Sequence, residues 1–294
     1  QQFDQDNKNY TSHQSSWSKS VYDVYKSAAV NLEWTEEIKE CCNKNEIEFM
    51  TTPYDEVLTD FIDDYVSAFK VGSGDITFHA LLCHIAKKQK PVLLATGAST
   101  LEEVTNAVEV VLKETKKLVL MQCNTNYTGD KDNFNYINLN VLDTYRNLYP
   151  NLPLGLSDHT PGHVTVLGAI AKGATVIEKH FTDDVERPGP DHKFAMDPQT
   201  WKKMLSDSLL MWQSLGDGLK RVEENETGTV VVQRRSIKSH QNLPVGHILQ
   251  ESDLVALRPC SKIGLAPFHI NKLIGKMLKK PTRAGFEIQL DDFE

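Results

Sequence analysis

No hydrophobic run in this sequence approaches the roughly 18 residues that a membrane-spanning helix requires, and its start carries no signal-peptide pattern. Cysteine is scarce and odd in number. The five residues (Cys41, Cys42, Cys83, Cys123, Cys260) form no C-x-x-C pair and have no histidine at zinc-finger spacing. A disulfide framework and a zinc finger are therefore disfavoured, and the pattern fits reduced thiols in a cytoplasmic protein. Positive charge is in deficit: 32 Lys and Arg against 40 Asp and Glu leave a formal net charge of −8. A general nucleic-acid or acidic-membrane binder would need a basic face, so any anion site must be local. No glycine fingerprint for a dinucleotide follows any strand-like run. The chain opens on Gln rather than Met, and its natural start is expected upstream.

What is present is a repeat of short apolar runs: EIEFM (46–50), SAFKVGS (67–73), PVLLAT (91–96), LVLMQC (118–123), LPLGLS (152–157) and TVIEKHF (175–181). Helical periodicity fills most gaps between them, as in TLEEVTNAVEVVLKET, where Ser99 and Glu102 have capping-box spacing. Alternation of this kind predicts a parallel sheet covered by helices. Six runs fit either an open doubly wound sheet or a (β/α)8 barrel whose first two strands lie upstream of Gln1. Residues 1–34 are polar and read as a loop leading into a helix. A helix is expected over 197–218, then a polar connector. From about Val230, short apolar pieces broken by Pro and Gly predict a small, mostly β domain. The divisions are a barrel domain over 1–222, a linker over 223–233 and a small domain over 234–294.

In parallel βα folds, functional residues gather at the carboxyl ends of strands. Those positions here are Thr51 and Thr52; Lys70, Ser73 and Asp75; Thr96; Asn124 to Tyr127; Ser157, Asp158 and His159; and His180. Within LGLSDHTPGHVTVLGAIAKGATVIEKHFT (154–182), two neighbouring runs both end in histidine. Two imidazoles at equivalent strand ends can share a divalent metal, although packed or surface histidines have the same pattern. Lys70 and Ser73 suit a phosphate or carboxylate, or Lys70 simply extends its stem along the strand end. The loop after His180 is long and polar; Asp191 there could bind a polyol or face water. His163 is expected against the first turn of the helix that follows it.

The motifs KVGSGD, LLATGAS, LGLSDHTPG, IEKHFT and RPGPDHKFAMDP, followed by RRSI, LPVGHIL, DLVALRP and GLAP, resemble the N-acylneuraminate (sialic acid) synthase family from about Ser12 to the end. The resemblance includes the bacterial legionaminic and pseudaminic acid synthases, and the tail is similar to their antifreeze-like SAF domain. It implies a TIM barrel that condenses phosphoenolpyruvate with an N-acylated mannosamine-type sugar, giving a nonulosonic acid and phosphate. It further implies that His159 and His180 bind a divalent metal, manganese rather than magnesium, and that Thr52, Lys70, Ser73 and Ser157 hold phosphoenolpyruvate. Asp75 would lie near the reacting carbons, and Tyr127 and Asp191 would contact the sugar. Arg258 would reach into a partner's site in a domain-swapped homodimer. Two positions depart from the family pattern: Ala95 stands where a serine is common, and Thr125 sits between Asn124 and Asn126 where the family has an amide or hydroxyl. A metal-dependent aldolase or lyase on the same barrel, or a non-catalytic sugar-binding remnant, are the alternatives.

Overall fold

The computed structural model describes residues 14–187, 189 and 191–293. The chain divides into two compact units, one running to Gly216 and the other from Asp217 onward.

The first unit begins with α1 (Val21–Ala28), capped by the Ser20 hydroxyl, and α2 (Thr35–Lys44), followed by α3 (Glu56–Ile62). Strands and helices then alternate: β1 (Phe69–Val71), α4 (His79–Lys87), β2 (Val92–Ala95), α5 (Leu101–Glu114), β3 (Leu118–Cys123), α6 (Val141–Leu148), β4 (Leu154–Asp158), α7 (Val164–Ala171), β5 (Ala174–Lys179) and α8 (Pro198–Ser214). The five strands form one parallel sheet in chain order. Short apolar strands with helical crossovers have few other ways to hide both faces.

Successive side chains of a strand point to opposite faces. One set (Phe69, Val71, Val92, Leu94, Leu118, Leu120, Leu154, Leu156) joins the main core beneath the helices. α5 supplies Val104, Ala107, Val108 and Val111 to that core, at the i, i+3, i+4, i+7 spacing of one helix face. A smaller cluster of Val166, Ile170, Met196 and Met204 packs α7 against α8.

Four expectations change. The run at 46–50 forms no strand: its residues are mostly exposed, and only Thr51 makes a parallel bridge, to Phe69. Among the described residues its only bridged neighbour is the three-residue β1, too short to support a ladder along the run. The capping box of α5 lies one residue later than read, on Thr100 and Glu103. Thr100 N–H donates to Glu103 Oε2 at 2.7 Å, while the Ser99 hydroxyl turns back to donate to Gly97 O. His163, at the N-cap of α7, also reaches across to α8, where its Nε2 lies 2.7 Å from Asp207 Oδ2. The helix expected over 197–218 ends earlier, at Ser214, and starts from an Asp197 cap with Pro198 in its first turn.

In the second unit, residues read as linker contain α9 (Thr227–Gln233). The rest pairs β6 (Ser236–Ser239) with β7 (Leu254–Leu257) antiparallel, with further isolated bridges. Ile237, Leu243, Leu249, Leu254, Leu273, Leu278 and Ile288 form its own core. Among the described residues, no helix is long and apolar enough to cross a membrane.

Leu120 lies in the row Leu94, Leu120, Leu154 across three adjacent strands and is fully buried. Leu120→Ala is expected to lower the unfolding free energy by about 2–5 kcal/mol, measured by urea denaturation with an unchanged denaturant slope.

Candidate active site

The inward-facing residues at the strand ends are mainly polar. Cys123, Ser157 and Glu178 occupy one register row across β3, β4 and β5. From the opposite edge of the sheet, Lys70 on β1 brings its Nζ to 3.3 Å from Glu178 Oε2. Since β1 and β5 are the outermost strands of the ladder, this contact means that the sheet curls around an interior. Lys70 Nζ also donates to Val71 O at 3.0 Å, and the lysine is nine-tenths buried.

Ser73 follows β1 and Gly97 follows β2, where Gly97 N–H donates to Ser73 Oγ at 2.8 Å. That leaves the Ser73 hydroxyl hydrogen for another acceptor. A Cβ on Gly97 would meet Thr125 Cγ2 at 2.5 Å, Ser73 Oγ at 3.0 Å and Cys123 Sγ at 3.1 Å. Burial pushes the Cys123 thiol up, offset in part by hydrogen bonds with Ser73 and Ser157 and by the Lys70 charge. Lys70, Ser73, Ser157 and Cys123 therefore share one small polar chamber.

The two histidines stand just past the ends of β4 and β5, with ring centroids 5.0 Å apart. His159 is buried, and its Nδ1 lies 2.7 Å from Asn124 O. A carbonyl only accepts, so Nδ1 carries the proton and the Nε2 lone pair is free. Burial holds His159 below the ordinary imidazole range, partly opposed by that hydrogen bond. Burial likewise lowers His180, opposed by Asp191, whose Oδ2 is 3.6 Å from His180 Nδ1. Both rings thus favour the neutral form, which is the form that binds a metal. Among the described residues, no group of three or more His, Cys, Asp or Glu side chains could hold a metal ion, so a metal here would have two protein nitrogens and open positions.

Two further rings frame the pair. Tyr127 lies 4.2 Å from His159 and 6.2 Å from His180 between centroids, and burial pushes its phenol up. Phe194, fully buried, lies 4.9 Å from His180 and 5.8 Å from His159. The loop after β5 delivers it by folding back: Met196 N–H donates to His180 O at 2.8 Å, and Thr182 N–H donates to Met196 O at 2.9 Å. His192 is used within that loop, its Nδ1 2.7 Å from Thr182 Oγ1.

Asp75 sits half-buried beyond Ser73, and desolvation raises its carboxyl above the ordinary range. Thr52 lies on the chain bridged to β1 and lines a cavity of about 440 Å³ with Tyr22, Tyr25, Tyr54 and Leu58. Burial and the Asp191 charge both raise Tyr25, so Asp191 is electrostatically coupled to a tyrosine that lines this cavity. Arg258 belongs to the second unit, exposed at the end of β7, with Nε donating to Gln233 O at 2.5 Å. The sequence reading missed Glu178, Cys123 and Phe194 as parts of the site. The first two are marked by the alternation of their strands, and Phe194 carries no local signal.

The NeuB family pattern matches residues 2–220, and the SAF domain pattern matches 234–294. The chain belongs to the NeuB family. It is 34% identical over 283 residues to the N,N'-diacetyllegionaminic acid synthase of Legionella pneumophila, covering 94% of this chain and 78% of that protein. It is 29% identical over 282 residues to a pseudaminic acid synthase of Campylobacter jejuni, covering 95% and 80%. Among solved structures, the N-acetylneuraminic acid synthetase of Leptospira borgpetersenii matches with a TM-score of 0.67 and 26% identity, covering 74% of this chain and 76% of that one. These NeuB-family relatives give the described sheet its context as part of a TIM-type barrel.

Cys41 is exposed and Cys123 is buried in the chamber. With a thiol-reactive dye, native protein is expected to label at Cys41 within minutes and at Cys123 only after denaturation, as read by peptide mass mapping. Rapid native labelling of Cys123 would show that the chamber is open to solvent.

Proposed function

We propose that this protein is a nonulosonic acid synthase that condenses phosphoenolpyruvate with the open-chain aldehyde of an N-acylated mannosamine-type sugar and releases phosphate. The observation that carries the reading is the pair of neutral imidazoles, 5.0 Å apart, at the rim of a chamber holding Lys70, Ser73 and Ser157. Phosphoenolpyruvate brings up to three negative charges. The Lys70 ammonium and the hydroxyls of Ser73, Ser157 and Thr52 bind it by charge-assisted hydrogen bonds, a local exception in an acidic chain. Ala95 supplies no hydroxyl at its position, which leaves that contact to its neighbours.

His159 and His180 would hold a divalent cation through ring nitrogens, with manganese favoured over magnesium by nitrogen ligation. Such an ion supplies Lewis-acid polarisation of the sugar aldehyde. Asn124 O fixes the His159 tautomer, and Phe194 excludes water from one side of the rings. Tyr127 and Asp191 orient the sugar, whose acyl group has room beside Tyr25 and Tyr54. The chemistry balances as follows. Carbon 3 of phosphoenolpyruvate bonds to the aldehyde carbon, whose oxygen takes up a proton. Water then adds to the cationic carbon 2 and loses one proton, and as the C–O bond to phosphate breaks the new hydroxyl gives its remaining proton to the departing phosphate, leaving the 2-keto acid. Asp75, its carboxyl raised by burial, accepts the proton from that water. The partner subunit's Arg258 reaches into the active site in a domain-swapped dimer, a reading that rests on the family resemblance of its motif. The relation to the Legionella synthase favours a diacetamido sugar over N-acetylmannosamine.

Phosphate release with Mn²⁺ present is expected to depend on both phosphoenolpyruvate and one N-acylated sugar from a panel. Release with no sugar, or with none of the panel, would sink the reading. His159→Ala and His180→Ala are each expected to abolish turnover. Asp75→Asn is expected to lower kcat by about 10²–10⁴-fold. Because only the carboxylate accepts a proton, the wild-type rate falls as pH drops through the raised Asp75 value, and the variant's residual rate lacks that fall.

A further inference from the structure

Asp158 and Lys179 lie one residue before His159 and His180, with side chains fully buried. They are direct Cα partners in the final rung of the β4–β5 ladder, where both strands end. By alternation they face away from the chamber, on the side covered by α7. Lys179 Nζ donates to Asp158 Oδ2 at 2.8 Å and to Thr160 O. Asp158 Oδ2 also accepts from Thr165 Oγ1 at 2.6 Å and Thr160 Oγ1 at 2.9 Å, and Oδ1 accepts from Thr160 N at 3.2 Å. One cluster thus ties together the ends of two strands, the loop after β4 and the first turn of α7.

Such a cluster is a poor device for stability alone, since two apolar side chains of similar volume serve a buried site as well or better. It adds no net charge to the neighbouring rings. What it supplies is direction: a fixed donor geometry sets the relative twist and register of both strand ends at the last rung. Neighbouring residues of a strand are linked by a rigid peptide, so fixing residues 158 and 179 fixes the starting points of the two histidines. We propose that the Asp158–Lys179 ion pair is a positioning clamp that sets the separation and orientation of His159 and His180. Its consequence for metal binding rests on the two-histidine reading given above; its geometric content does not.

The test uses the double variant Asp158→Asn with Lys179→Met, which keeps the volume and removes both charges, and the milder Thr165→Val, which removes one donor. Circular dichroism and thermal unfolding establish that each is folded. The readouts are Mn²⁺ affinity by calorimetry and the ring separation in metal-free crystals. The folded double variant is expected to bind Mn²⁺ about 10- to 100-fold more weakly, with the rings displaced from their 5.0 Å spacing, and Thr165→Val to show a smaller loss in the same direction. A folded double variant with the original spacing and wild-type affinity overturns the clamp. If the double variant does not fold, wild-type affinity and spacing in Thr165→Val overturn it. If the wild-type protein binds no Mn²⁺, the metal reading fails, and the ring spacing in the variants alone decides on the clamp.

Discussion

The structure depends on the two-residue pleat of a parallel ladder. Every strand of the sheet must bury both faces, yet the two faces need different chemistry. The helix side takes Phe69, Leu94, Leu120 and Leu156, while the interior takes Lys70, Ser157, Glu178 and Cys123. A slip of one residue would carry the lysine under the helices and a leucine into the chamber. The large apolar area on the helix side therefore enforces the register that assembles the polar interior. Stability and site geometry are consequences of one pattern.

Electrostatics in the interior follow from that register. A buried lysine without a partner would lose its charge or destabilise the fold. Glu178 reaches across from the opposite edge strand to offset it, its Oε2 lying 3.3 Å from Lys70 Nζ. The histidines take the other solution to burial and stay neutral. One rim therefore carries both a buried cation and imidazole lone pairs, within a chain of net charge −8.

The strands β1 to β5 were legible because a strand buried on both faces reads as a continuous apolar run, and the helices between them alternate with it. The run at 46–50 has the same composition, but a strand also needs a neighbour of matching length, which composition does not encode. The histidine pair was legible because two adjacent runs end alike. Glu178, Asp158 and Lys179 stood in plain view beside those histidines, yet their roles depend on which face each occupies and on cross-strand register. Phe194 was hidden for a different reason. Its position comes from a backbone pairing between Met196 and His180 that joins residues far apart along a loop. The capping box at Thr100 shows the finer limit: two adjacent hydroxyl residues compete for one helix start, and the sequence alone does not rank them.

The glycine after β2 has a consequence for reshaping this enzyme. Any side chain at Gly97 would press on Thr125, Ser73 and Cys123 together, and Cys123 is locked in place by ladder register. Gly155 is equally confined, with Val176 O at 2.8 Å from where its Cβ would sit. If Tyr127 and Asp191 contact the sugar as proposed, freedom to accept a different one lies in the loops that carry them, whose backbones are not part of the ladder. On that reading, substrate range can be altered by loop exchange, while the polar chamber beneath is held in shape by its packing.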